Sequence, residues 1–245
     1  MIFASTGTGF LLSDGRFVTA RHCVESWLYP PREESIYAES YPSAYKIWSE
    51  IHAFGPNGEK MMFNSNDFKM DKSEDVVEIF DRDEDGDPLK IRFASYYEVE
   101  TGEGTLVLGK KAANGNDWAY VQTQKKGTII ANPELSGSLK AGTEVHVLGF
   151  PAALGVEDGQ DKSIEPIYNK MSVSRNGLNS ERCVMVSQGV AHGNSGGPVF
   201  AIQNGKIYAV AIVSRLEAKT QKFENGAIVQ QQQQYDQLVP IKNLK

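Results

Sequence analysis

The sequence predicts an all-β protein, built as a barrel or a sandwich, on three observations. Short runs rich in β-branched and aromatic residues recur along the chain. Turn-forming residues separate them, and windows with helical periodicity are few. Glycine is abundant, at 23 residues, which suits many tight connections. The predicted strands are Thr8–Leu12, Phe17–Ala20, Thr105–Leu108, Trp118–Gln122, Glu144–Gly149, Cys183–Ser187, Pro198–Ile202 and Ile207–Val213. Between them stand Ser13-Asp14-Gly15, Asn114-Gly115-Asn116, Asn132-Pro133, Lys140-Ala141-Gly142 and Gln203-Asn204-Gly205. Each contains a residue that tolerates positive φ or presets a turn. Two short helices are expected, one from His22 toward Leu28 and one near the C-terminus. No internal repeat is present.

Three segments break this texture. Tyr29–Phe68 is aromatic-rich and irregular, as expected of an elaborated loop or a helix packed on the sheets. Asp81–Asp87 reads DRDEDGD, a dense acidic turn, and Gln230–Gln234 is a glutamine run read as a solvated edge or loop.

Composition narrows the function. With 245 residues, 40% hydrophobic and 23% charged, the chain has an ordinary globular composition. Its formal net charge of −6 argues against a general nucleic-acid binder, whose affinity rests on a basic face. No apolar run is long enough for a membrane-spanning helix. The N-terminal residues lack the basic and apolar regions of a secretory signal. Cys23 and Cys183 could form one bridge at most and read as small buried hydrophobes. The expectation is a cytoplasmic protein.

The chemistry concentrates in Gly193-Asn194-Ser195-Gly196-Gly197-Pro198. A serine hydroxyl is a poor nucleophile at neutral pH. A hydrolase therefore adds a base, a turn that exposes Oγ, and donors aimed at the developing oxyanion. Flanking glycines serve the last two needs, because they permit unusual φ/ψ and close backbone approach. The bland alternative is a glycine-rich turn with an incidental serine. His22 follows an apolar strand and a small-residue turn, which sets the imidazole at a strand end. Asp117 stands at the mouth of Trp118-Ala119-Tyr120-Val121, where burial can fix it against an imidazole N–H. Each signal is modest alone; the order His, Asp, Ser makes the arrangement specific.

These motifs carry a resemblance. Gly7-Thr8-Gly9-Phe10, Val18 to Cys23 (VTARHC), Asp117 to Val121 (DWAYV), Gly193 to Pro198 (GNSGGP) and Val239-Pro240-Ile241 together resemble the chymotrypsin-fold (trypsin-like) serine peptidases. The texture is closest to the bacterial, disulfide-free branch that includes the HtrA-type proteases. The resemblance implies two antiparallel six-stranded β-barrels with the site in the cleft between them. Residues 1–130 would form the first barrel, with an insertion at about 29–87, and residues 131–245 the second. It implies Ser195 as nucleophile, His22 as general base and then acid, and Asp117 as the group that orients the histidine. The backbone N–H groups of Gly193 and Ser195 would form the oxyanion hole. Ser214 would lie on the strand that pairs with substrate beside the specificity pocket. A protein or peptide substrate and no cofactor are implied.

The sequence also departs from the family pattern. The His22 to Asp117 separation is longer than expected, which leaves Asp75 as a rival acid. Asp117 is preferred because DWAYV keeps the family's alanine and the Asp75 segment does not. Asn194 replaces the aspartate that in zymogen-type members pairs with a newly cut N-terminus, so no proteolytic zymogen switch is expected. Cys23 matches a family cysteine whose partner position is Gly7, so that disulfide cannot form. Gly189 stands where Arg/Lys-specific members place a carboxylate, which argues against trypsin-type specificity. His192 and Arg215 flank the expected pocket mouth and would suit an acidic P1 residue, or serve as solvated surface. Otherwise small or apolar P1 residues are expected.

Other sites carry less. Asp81, Asp83 and Asp85 have the spacing of a calcium loop, but Arg92 occupies the position of the twelfth, bidentate ligand. A solvated acidic hairpin is the simpler reading. His52 and His146 lack partners at zinc spacing and read as structural. Three functional readings follow: an endopeptidase, a catalytically silent binding module on the same fold, and a protease whose activity depends on a protein partner acting through residues 29–87.

Overall fold

A computed structural model describes residues 6–25, 50–55, 58–73, 76–82, 88–93, 106–111, 114–151, 165–222 and 228–244. The fold within them is all-β, with four sheets and only short helices.

The first sheet is the meander β1 (Gly9–Leu11), β2 (Arg16–Thr19) and β8 (Ala119–Gln122), paired antiparallel in the order β1-β2-β8. The β1–β2 turn is set by Gly15 at φ 91°, and the Asp14 side chain accepts from the Arg16 amide at 3.1 Å. Sheet register puts Thr19 opposite Ala119, so β2 and β8 bring the residues just after Thr19 beside those just before Ala119. That register, and no local signal, is what brings His22 to Asp117. The helix expected after His22 is one turn, α1 (Arg21–Val24); Leu28 lies outside the described residues.

The segment expected to be irregular up to Phe68 contains a hairpin, β3 (Glu50–Phe54) with β4 (Lys60–Asn64). Its alternation of apolar and polar side chains places Ile51, Ala53, Met61 and Phe63 against a core cluster with Phe17, Val24, Phe68, Ala119 and Val121. Phe63 stacks on Phe17 and meets Phe68 edge-on. A 3₁₀ turn, Ser65–Asp67, follows, capped in both directions by Asn64 and Asp67. Strands β5 (Val76–Arg82), β6 (Pro88–Phe93) and β7 (Leu106–Lys111) form a separate sheet in the order β6-β5-β7. Arg82 pairs with Pro88; the rest of the acidic run, residues 83–87, lies outside the described residues.

Beyond α2 (Pro133–Gly137), the second half is one six-stranded antiparallel sheet, ordered β10-β9-β12-β13-β14-β11. Its strands are β9 (Glu144–Gly149), β10 (Ile167–Ser172), β11 (Val184–Ser187), β12 (Pro198–Gln203), β13 (Lys206–Lys222) and β14 (Ile228–Pro240). The sheet curls until its edges meet at a bridge between Val173 and Val186, where the Ser174 amide donates to Met185 at 2.8 Å. Valines 145, 147, 173, 184, 186, 199, 210 and 213 fill its interior, each contributing on the order of 1.5–3 kcal/mol through burial.

One expectation is corrected. The C-terminal helix is instead β14 followed by a 3₁₀ turn, Ile241–Asn243. The glutamine run takes the edge alternative: it is strand, with Gln230, Gln231 and Gln232 opposite Thr220, Lys219 and Ala218, while β11 pairs with β14 only from Tyr235 to Leu238. Strand pairing with β13 supplies the backbone partners that the composition alone does not suggest. The two halves share a core cluster in which Phe10, Val18, Trp118 and Tyr120 pack with Phe200, Ile212, Val239 and Ile241. The site lies at this seam.

Candidate active site

Asp117 follows a 3₁₀ turn, Asn114–Asn116, and is fully buried. Its carboxylate receives three hydrogen bonds. The His22 amide donates to Oδ1 at 2.9 Å, the His22 ring meets Oδ2 through Nδ1 at 2.8 Å, and the Ser214 hydroxyl donates to Oδ2 at 2.5 Å. A buried carboxylate is tolerable only when so satisfied. With Asp117 as acceptor, the proton of a neutral imidazole sits on Nδ1 and the Nε2 lone pair is free.

Burial of the His22 ring disfavours its charged form. The Asp117 carboxylate outweighs that effect, with Cys23 adding to it, and holds the imidazole well above its ordinary value of 6.5. Burial likewise opposes ionisation of Asp117, but the charge and hydrogen bonds of His22 and the Ser214 bond hold its carboxyl far below the usual carboxylate range.

Ser195 lies in a tight turn bounded by positive φ at Gly193 (92°) and Gly196 (86°). A Cβ at Gly196 would collide with the Thr8 carbonyl and the Thr19 hydroxyl. The Gly196 amide donates to Val213 at 2.7 Å, and the Val213 amide returns a bond to Gly197 at 2.9 Å. The turn is thereby stitched to β13. The next residue, Ser214, is an extra residue in β13: Val213 pairs with Leu238 and Arg215 with Gln237. This β-bulge turns Ser214 out of the ladder. Its hydroxyl reaches Asp117, while its carbonyl accepts from Ser195 Oγ at 3.5 Å. The Ser195 carbonyl accepts from Cys23 Sγ at 3.6 Å, beside His22. The structure thus gathers His22, Asp117, Ser195 and Ser214 into one cluster. Among the described residues, no hydrogen bond joins Ser195 Oγ to His22, and none takes up the amide hydrogens of Gly193 or Ser195.

Gly189 is held by residues that sequence reasoning missed. Asp236, fully buried on β14, accepts the amides of Gly189 and Val190 on Oδ2 at 2.9 Å each, and its Oδ1 has no partner. The Gly189 carbonyl accepts from Asn169. Only a lone acid beside an apolar strand end, Leu238-Val239, marked Asp236 in the sequence. A second missed group is the buried pair of Arg21 and Glu25. Nε and a terminal nitrogen of Arg21 each lie 2.9 Å from one Glu25 oxygen, and Lys72 reaches the other at 2.7 Å. Arg21 also donates to the Asp71 carbonyl at 3.0 Å. This network anchors the turn that bears His22.

His192 is exposed. Arg215 is a β13 residue whose side chain, like Asp75, Asp83 and Asp85, lies outside the described residues; Asp81 pairs with Leu89 in β5. Among the described residues no cluster of His, Cys, Asp or Glu could hold a metal ion. Neither Cys23 nor Cys183 is in a disulfide; Cys183 is buried as expected, whereas Cys23 is only partly so. A Cβ on Gly7 would fall 2.8 Å from Cys23 Sγ, so Gly7 occupies the place of a disulfide partner. His146 bonds Tyr168 Oη at 2.8 Å and His52 meets Glu50, both surface contacts.

Residues 7–210 match the trypsin-like peptidase domain family, and the chain belongs to it. No curated protein matches the sequence. Solved structures with a similar course include the HtrA-type protease AlgW with a decapeptide, at 11% identity and a TM-score of 0.48, covering 97% of this chain and 48% of that one. A serine endoprotease from Yersinia pestis is 13% identical with a TM-score of 0.48, covering 98% and 55%. The protein HBP is 12% identical with a TM-score of 0.44, covering 96% and 80%. The chain spans about half the length of the first two.

Proposed function

We propose that this trypsin-like peptidase is a serine endopeptidase that cleaves protein or peptide substrates through an acyl-enzyme. The observation that carries the reading is the saturated Asp117 carboxylate, which receives the ring and amide of His22 and the hydroxyl of Ser214. A fully buried acid bonded to an imidazole in this way fixes the tautomer whose Nε2 accepts a proton. A rotation about the Ser195 Cα–Cβ bond turns the hydroxyl from the Ser214 carbonyl to that nitrogen. Ser195 Oγ then attacks the scissile carbonyl as its proton passes to Nε2, and the carbonyl oxygen becomes an oxyanion facing the free amides of Gly193 and Ser195. Collapse breaks the C–N bond, and the imidazolium returns its proton to the leaving amine. Water, deprotonated by the same nitrogen, releases the acid. With glycine at 189, the P1 preference is for small or apolar side chains rather than Arg or Lys.

A second reading, a catalytically silent binding module, is favoured by one observation: the Ser195 hydroxyl bonds Ser214 and not His22. Labelling by a fluorophosphonate, with peptide hydrolysis in parallel, separates the two. The protease reading expects labelling and turnover that vanish in Ser195→Ala. An unlabelled wild type that binds peptide without cleaving it would establish the silent module. Dependence on a partner would appear as weak turnover of the isolated chain that rises when the partner is added.

A further inference from the structure

Thr8 belongs to a motif for which the catalytic reading supplies no role, yet it touches the nucleophile's turn at two points. It is 4% exposed. Its amide donates to the Ser195 carbonyl at 2.8 Å, and its hydroxyl donates to the Gly193 carbonyl at 2.7 Å. The hydroxyl oxygen in turn accepts the Phe150 amide at 3.1 Å, and the Thr8 carbonyl accepts the Thr19 hydroxyl at 2.8 Å. Phe150 follows β9 and Thr19 ends β2, so Thr8 is held from both halves of the molecule and its hydroxyl cannot turn away. The residues whose carbonyls Thr8 binds are the two whose amides are unoccupied, Gly193 and Ser195.

Gly193 has wide backbone freedom and sits at φ 92°. Its carbonyl belongs to the peptide that carries the Asn194 amide, and that amide donates to Ala191 at 3.1 Å, so the peptide is held at one end by Ala191 and at the other by Thr8. The Asn194 side-chain oxygen adds no further tether, since its buried Oδ1 has no partner among the described residues. We propose that Thr8 is the positioning residue that fixes the turn from which the amides of Gly193 and Ser195 project, by holding ψ of both residues through their carbonyls. This rests on the endopeptidase reading. It explains how a chain with Asn194 holds an anion-binding turn open without an ion pair behind it. Without the hydroxyl, the Gly193 carbonyl keeps only the Ala191 tether of its own peptide, ψ at this glycine is less constrained, and the preceding amide loses its fixed aim at the cleft.

The test compares wild type, Thr8→Val and Thr8→Ser in peptide hydrolysis, with affinity for a peptide boronate, which forms a tetrahedral adduct on the serine. Thr8→Val keeps the shape and removes the hydroxyl. Losing one oxyanion donor costs roughly 10²–10³ in kcat, and a misaimed donor costs part of that. The expected result is a fall in kcat of about 10- to 100-fold at nearly constant KM. Boronate affinity should fall in parallel and Thr8→Ser should recover most of the loss. Thr8→Val with wild-type kcat overturns the proposal, as does a loss confined to KM or one that Thr8→Ser fails to restore. If Thr8→Val does not fold, Thr8→Ala, which leaves space rather than an added methyl, is read by the same criteria. A wild type inert to the fluorophosphonate and to substrate refutes the endopeptidase reading instead, so the two failures are told apart.

Discussion

Ser214 donates its hydroxyl to the buried Asp117 carboxylate at 2.5 Å from the crest of a β-bulge. A bulge costs a ladder position, and here it gives the carboxylate its third donor. Hydrogen bonds to charged groups contribute about 1.5–3 kcal/mol each, but two donors from His22 remain when this one is removed. Ser214→Ala is expected to lower kcat/KM about tenfold, equivalent to roughly 1.4 kcal/mol, as read by steady-state hydrolysis. Unchanged kinetics would make the contact incidental.

Because His22 is held well above 6.5 by Asp117, the imidazolium persists above that pH and the base is not yet available. Activity should therefore rise with pH through a limb centred above 6.5. Asp117→Asn removes the charge, so the limb should move to lower pH while kcat drops by several orders of magnitude. The stability sign follows from the same shifts. The His22 contribution is full below about 6.5 and fades as pH rises through its raised folded value. The Asp117 contribution is full above about 3.8 and fades as pH falls toward its depressed one. Melting temperatures of wild type and His22→Gln should differ most between those two values.

Glu25 and Arg21 have side chains 3% and 0% exposed, whereas Lys72 is 45% exposed. Removing one member of a buried pair strands the other charge and costs about 3–5 kcal/mol. Glu25→Ala should accordingly lower stability by that amount in urea titration. Lys72→Ala, at the solvated end of the same network, should cost about 1 kcal/mol or less. Equal losses for the two would contradict the burial argument.

Gly196 and Gly205 both have positive φ, 86° and 72°. Alanine at 205 meets nothing within 4 Å and should cost only the left-handed strain of about 1–2 kcal/mol. Alanine at 196 must also displace the Thr8 carbonyl and the Thr19 hydroxyl, so it should abolish serine labelling and lower stability further. The pair of variants, measured by melting and fluorophosphonate labelling, separates strain from collision.

Much of this protein was legible in one dimension because the signals were local. Glu144–Gly149 alternates and is a strand with alternating burial, beginning just after the turn at Gly142. GNSGGP reads as a turn because only glycine relieves the collisions at Gly196. The glutamine run left edge and loop both open for the opposite reason. Its state depends on β13, a partner that no property of glutamine announces.

What residue order determined by itself was the class of backbone and the presence of a serine turn, a histidine and an acid. Those follow from side-chain chemistry and from steric limits within a few residues. Only tertiary structure decided that Asp117 sits on His22, that Ser214 bridges to Ser195, and that Thr8, Asp236 and the Arg21–Glu25 pair hold the surrounding loops. Each of those contacts is a hydrogen bond or ion pair whose strength comes from burial, and burial exists only after distant strands have packed.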